Sequence, residues 1–171
     1  MKRMGLIYLM CVCIPNASAK EDLAFGETMK VITKLEEAGE WNKALPLYRD
    51  LYSQLRLKLD GLTIPFLFRK GICEMQCSIF DDAEKSFDHI TRNTKVFKVP
   101  DIYLVTVVRA NFYLAEVQAR SGKFEAAEKS LATAKLFFEQ AVQVNDDAQM
   151  RKWRNVIVAK ILGIIESGDA K

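Results

Sequence analysis

The chain has 171 residues, half of them hydrophobic and 27% charged, with 25 Lys and Arg against 22 Asp and Glu for a formal charge of +3. Glycine (8) and proline (4) are scarce, which excludes collagen-like, low-complexity and largely disordered chains. Near-balanced charge gives no basic excess to neutralise phosphates, so no nucleic-acid partner is expected, and a single histidine leaves little for metal or His-dependent sites.

Residues 1–19 carry the order of a secretory signal peptide. Lys2 and Arg3 precede an apolar run of 11 residues, Met4 to Ile14, followed by a break at Pro15-Asn16 and the small–x–small Ala17-Ser18-Ala19. The run is short of the ~20 residues of a membrane span. A buried helix is the competing reading. Cys11 and Cys13 raise a lipoprotein alternative, disfavoured because Leu9, Met10 and Val12 are not the small residues expected upstream of a lipidated cysteine. Cleavage after Ala19 leaves one domain, 20–171, of 152 residues with 23 basic against 22 acidic side chains. No second apolar run of ~18 residues follows, so no transmembrane segment is expected after cleavage. The expected location is exported, periplasmic or secreted.

The rest of the chain shows helical spacing, with almost no strand or hairpin signal. A first helix covers Leu23–Ala38 and ends at Gly39. A second covers Trp41–Leu59, with Leu45, Tyr48, Leu51, Tyr52 and Leu55 on one stripe, and Asp60-Gly61 breaks it. Thr63 can cap a third helix to about Cys77, with Pro65 tolerated in its first turn. A fourth spans Asp81 to about Arg92, and Asn93–Val99 reads as a loop. The fifth opens at Pro100-Asp101 and ends before Ser121-Gly122. The sixth runs from Glu125 to about Val144. Met150, Trp153, Ile157, Ile161 and Ile164 mark one face of a seventh, with Trp153 expected in the core. Cys73 and Cys77 share a helix at i, i+4, where Cβ atoms lie ~5–6 Å apart. A disulfide wants ~3.8 Å, so two free, buried side chains are expected.

Beneath the helices lies a repeat. Gly39-x-Trp41-x-x-Ala44-x-x-x-Tyr48 aligns with Ser78-x-Phe80-x-x-Ala83-x-x-x-Phe87 and with Gly122-x-Phe124-x-x-Ala127-x-x-x-Leu131. Each has a small residue, an aromatic two later, Ala three beyond it, and a large apolar residue four beyond that. The small residue permits a tight turn, the aromatic wedges between paired helices, and Ala allows close approach. This pattern resembles the tetratricopeptide repeat over roughly residues 25–138. The first helices match less well: Gly71 and Ala115 fit a small-residue position that Ile32 does not, and Thr28, Lys70 and Asn111 depart from apolar positions. The spacing of 39 and then 44 residues exceeds the repeat's usual length of about 34. The resemblance implies an all-α fold of about three tetratricopeptide-like helical hairpins in a short right-handed solenoid, with the seventh helix as a C-terminal cap.

No nucleophile, base and stabiliser assemble in the sequence. His89 stands beside Asp88 on a short helix, where adjacent residues do not face each other. Asp81-Asp82, Glu36-Glu37 and Asp146-Asp147 suit helix starts or solvated faces. No Gly-x-Gly occurs. The expectation is therefore a non-enzyme with no cofactor and no metal. In the tetratricopeptide family the first helix of each hairpin lines a concave face that binds peptides or protein segments. Carried over, that face comprises Met29 and Thr33, then Phe68, Ile72 and Met75, then Arg109, Phe112, Glu116 and Arg120. The favoured reading is a non-catalytic adaptor for a protein or peptide partner in the cell envelope. A carrier of a small apolar ligand walled by Phe68, Met75 and Phe112 is the first alternative, and a self-associating structural subunit is the second.

Overall fold

A computed structural model describes residues 19–55, 63–94, 101–144 and 148–168. These form an all-helical fold with no strand among the described residues: α1 (Ala19–Glu37), α2 (Trp41–Leu55), α3 (Thr63–Gln76), α4 (Phe80–Thr94), α5 (Asp101–Arg120), α6 (Phe124–Val144) and α7 (Ala148–Ser167). The leader expected over residues 1–19 lies outside the described residues except for Ala19, which opens α1. The α1 start falls four residues before the expected Leu23. The expected end of the second helix, the loop over Asn93–Val99 beyond Thr94, and the Asp146-Asp147 pair also lie outside them.

The three repeat turns have one geometry. Gly39, Ser78 and Gly122 all take positive φ, at 71°, 60° and 73°. At each, the turn residue's N–H donates three residues back, to Glu36, Met75 or Ala119. The next N–H donates five back, from Glu40 to Leu35 (2.8 Å), Ile79 to Glu74 (2.9 Å) and Lys123 to Gln118 (2.9 Å). This pair of bonds is the Schellman closure of a helix C-terminus. The carbonyls of Glu40, Ile79 and Lys123 then accept the N–H groups of Ala44, Ala83 and Ala127. One residue thus closes the first helix and opens the second. Helices joined this tightly have no room for a bulky side chain at the crossing, and Ala44, Ala83 and Ala127 are each 0% exposed. Tyr48, Phe87 and Leu131 are buried one turn further on.

Three apolar clusters fill the spaces between successive helices. The first joins Ile32, Ala44, Tyr48, Leu51, Phe66 and Cys73 from α1, α2 and α3. The second joins α3, α4 and α5 around Leu67, Phe87, Ile90 and Leu114. The third joins α5, α6 and α7 around Phe112, Leu131, Phe138, Ile157 and Ile161. Helix α5 packs against α3, α4, α6 and α7, and of residues 107–119 only Arg109 and Tyr113 are not buried. Its buried Asn111, off-pattern for an apolar position, donates Nδ2 to its own helix at Val107 O (2.9 Å). Helix α7 packs on α5 and buries only Ile157 and Ile161.

At Gly71, α3 lies against the Phe87 ring of α4. A Cβ there would lie 2.8 Å from two Phe87 ring atoms. Gly71→Ala is therefore expected to lower stability by about 1–3 kcal/mol through overpacking, despite alanine's better helix propensity. Gly39→Ala has open space around it, so its cost of about 1 kcal/mol is purely backbone, from the positive φ. Ser78→Gly should stabilise by about 0.5 kcal/mol, since serine there carries a backbone penalty that glycine lacks. Chemical denaturation of the three variants checks the order.

Candidate functional site

The nine residues expected on one inward face do not share one environment. Met29 and Thr33 on α1 and Phe68 and Ile72 on α3 are half-buried, while Met75 is buried in the second cluster. Phe112 is fully buried against Phe138 (ring centroids 6.4 Å) and Trp153 (5.5 Å, perpendicular). Glu116 is fully buried as well. Of the α5 part of the expected face, Phe112 and Glu116 are enclosed beneath α7, whereas Arg109 and Arg120 are half-buried. A helix placed only as an end cap would have left Phe112 and Glu116 open. The apolar pocket expected from Phe68, Met75 and Phe112 is not formed either, because Phe112 belongs to the α5–α7 cluster and the other two to the α3–α5 cluster.

Three polar nodes tie these helices together. In the first, Tyr48 Oη donates to Glu36 Oε1 (2.5 Å), and Arg69 donates to Glu36 Oε2 (2.5 Å) and Thr33 Oγ1 (2.8 Å). Burial and the Glu36 bond push the Tyr48 phenol far above its usual range. Burial is the largest influence on Arg69 and works to discharge it, but the bond to Glu36, the Glu36 charge and Tyr48 together outweigh it and hold the guanidinium charged. Charge-assisted bonds of this kind contribute about twice what neutral ones do. The node fixes α1, α2 and α3 to one another and leaves a third of the Arg69 side chain facing solvent beside Thr33.

The second node is buried between α3 and α4. Lys70 Nζ donates to Glu74 Oε1 (2.5 Å) and to Ser86 Oγ (3.1 Å), and Ser86 Oγ donates to Glu74 Oε2 (2.7 Å). Lys70 also stands 5.1 Å from the Tyr52 ring centre. Lysine at a position expected to be apolar is tolerated because a carboxylate one turn away neutralises it. The ring of bonds commits the serine proton to Glu74, which makes it a structural link and not an activated nucleophile. Above it opens a cleft of about 450 Å³ between α2, α3 and α4, where Arg49 (3.2 Å) and Lys85 (3.0 Å) both pair with Asp82. The Lys85 hydrogen bond holds the Asp82 carboxyl below its usual range.

The third node runs along the α5–α7 contact. Arg120 Nε (2.9 Å) and Lys160 Nζ (2.7 Å) both reach Glu116 Oε1, while Oε2 and Arg109 Nε have no hydrogen-bond partner among the described residues. The Arg109 guanidinium lies over the Trp153 ring at 5.1 Å, and Arg120 over Phe80 at 5.8 Å. Sequence reasoning missed Arg69, Tyr113 and Lys160. Tyr113 connects Phe68 (5.7 Å) and Phe87 (5.7 Å, stacked) to Trp153 (6.1 Å), so one run of rings crosses from α3 to α7. Trp153 packs against the third cluster, as expected.

Cys73 and Cys77 are free. Burial pushes the Cys73 thiol up to about 12, and burial raises Cys77 as well. No group of three His, Cys, Asp or Glu able to hold a metal occurs among the described residues, and no described helix is long and apolar enough to cross a membrane. No protein-family model matches the chain significantly, nor does any curated protein or solved structure.

Two outcomes follow from this geometry. Glu74→Ala leaves a buried ammonium unpaired and should cost about 3–5 kcal/mol, whereas Lys70→Met/Glu74→Leu should recover most of that loss, both read by urea denaturation. In the native protein a thiol alkylator should modify half-buried Cys77 well before Cys73, which should need unfolding; peptide mass spectrometry distinguishes the two.

Proposed function

We propose that the chain is an exported, tetratricopeptide-like adaptor, a short right-handed solenoid that holds a segment of another protein and carries out no reaction of its own. The observation that carries this reading is the threefold recurrence of one turn geometry, with an identical aromatic–Ala–apolar register, at Gly39, Ser78 and Gly122. Repeated hairpins of this kind set their first helices side by side. Such a row is a surface for docking an extended or helical segment.

With Phe112 and Glu116 of α5 buried, the half-buried apolar side chains of the row are on α1 and α3. Met29 and Ile72 are half-buried apolar side chains, and a third of the Arg69 side chain faces solvent beside Thr33. A segment that sets an apolar side chain against Met29 or Ile72 and a carbonyl or carboxylate on Arg69 suits that chemistry. The polar groups of the α2–α4 cleft are paired with one another, which favours the adaptor over a ligand carrier.

Site-specific photocrosslinking in the native envelope tests the reading without disturbing the core. A photoreactive residue at position 29, 33 or 72 should give a discrete crosslinked protein. The same residue at the exposed positions Lys43 and Lys129, on α2 and α6, should not. Equal crosslinking at both sets, or none at the first, would reject it.

A further inference from the structure

Helix α7 has two faces of opposite use. Trp153, Ile157, Ile161 and Ile164 turn toward α5 and the third cluster. On the opposite side Lys152, Val156, Ala159, Gly163 and Glu166 recur at alternating spacings of four and three, all of them exposed. That spacing is the heptad seam of one helix packing against another. Val156 is 64% exposed and the flanking Leu162 36%, two of the few large apolar side chains that the described residues leave in water. A Cβ built on Gly163 meets nothing within 4 Å, so no neighbouring element among the described residues covers this face.

The charges at the ends of the seam say what fits it. Lys152 lies at the N-terminal end and Glu166 at the C-terminal end, and no hydrogen bond or ion pair to either occurs in the described chain. Two copies of α7 laid antiparallel bring Lys152 of each beside Glu166 of the other, at both ends of the contact. A parallel pair would set like charges together. The centre of the seam, Ala159 and Gly163, is small enough for two backbones to approach closely, with Val156 and Leu162 of each copy covering the other's centre. A self-complementary patch of this kind closes on a two-fold axis and generates a dimer.

We infer that the outer face of α7 is a dimerisation surface, and that its occupant is the same face of a second copy, antiparallel and crossing near Ala159. The contact is a single helix pair, small beside permanent dimer interfaces, so the dimer forms in a concentration-dependent way. This inference concerns the face of α7 turned away from α5 and does not rest on the adaptor reading; a monomeric chain would leave that reading standing.

Light scattering coupled to size exclusion, over a concentration series of the purified chain, should show the mass rising toward twice that of one chain. Val156→Glu/Leu162→Glu should hold the mass at one chain with unchanged helical circular dichroism, since neither side chain is part of the core. Lys152→Glu alone should also weaken the dimer, because it faces Glu166 of the other copy. Lys152→Glu/Glu166→Lys should restore it, which a parallel pairing does not predict. A single-chain mass at every concentration, or a dimer indifferent to all of these substitutions, would overturn the inference.

Discussion

Everything in this fold depends on how closely each helix can lie against the next at its turn. A helix end leaves carbonyls without partners, and here they are satisfied within three residues by a left-handed turn that simultaneously supplies the opening carbonyl of the following helix. That economy of chain draws the paired axes together at the turn, which is why alanine is fully buried at the same place in all three hairpins. The large ring or leucine one turn later then fills the space where the pair opens. Gly71 against Phe87 extends the same logic to the middle hairpin, where a hydrogen in place of a methyl group admits an aromatic ring.

Packing of this kind passes polar groups into the interior, and the chain answers with closed nodes. Glu36, Glu74 and Glu116 each stand on an odd-numbered helix and each meets a cation. The first two are bonded through both oxygens, with Tyr48 or Ser86 supplying the additional donor. The third has two cations on one oxygen and none on the other. Breaking one member of such a pair exposes the full desolvation cost of the other, so the nodes fix which helices neighbour which more than they add net stability. The aromatic run from Phe68 through Phe87 and Tyr113 to Trp153 does the equivalent work without charge, bridging the second and third clusters.

Much of this was legible in the residues. Helix order, the three turns and the buried alanine and apolar positions of the register follow from local spacing, because a turn and its first helical residues are decided within ten positions. The burial of the residues expected on one face was not legible. Met29, Thr33, Phe68 and Ile72 remain half-open, but Phe112 and Glu116 are enclosed, since the docking of α7 on α5 is a long-range event that periodicity within α5 does not encode. Lys70 looked like a misfit while its partner Glu74, one turn away on the same helix, was the available signal. Lys160 and Arg69 carried no such local clue, because their carboxylates lie on other helices.

Helix α7 holds its place with two buried isoleucines, the Trp153 ring and a lysine on Glu116. In a row of elements that touch mainly their neighbours, free energy of opening is set element by element, and the terminal one detaches at least cost. Amide exchange should thus run fastest through the last helix and slowest through α5, which is clamped on all sides. A brief detachment would strip Glu116 of one counter-charge and wet Phe112, so the energetic barrier to losing the end of the row is written into the side chains of its centre.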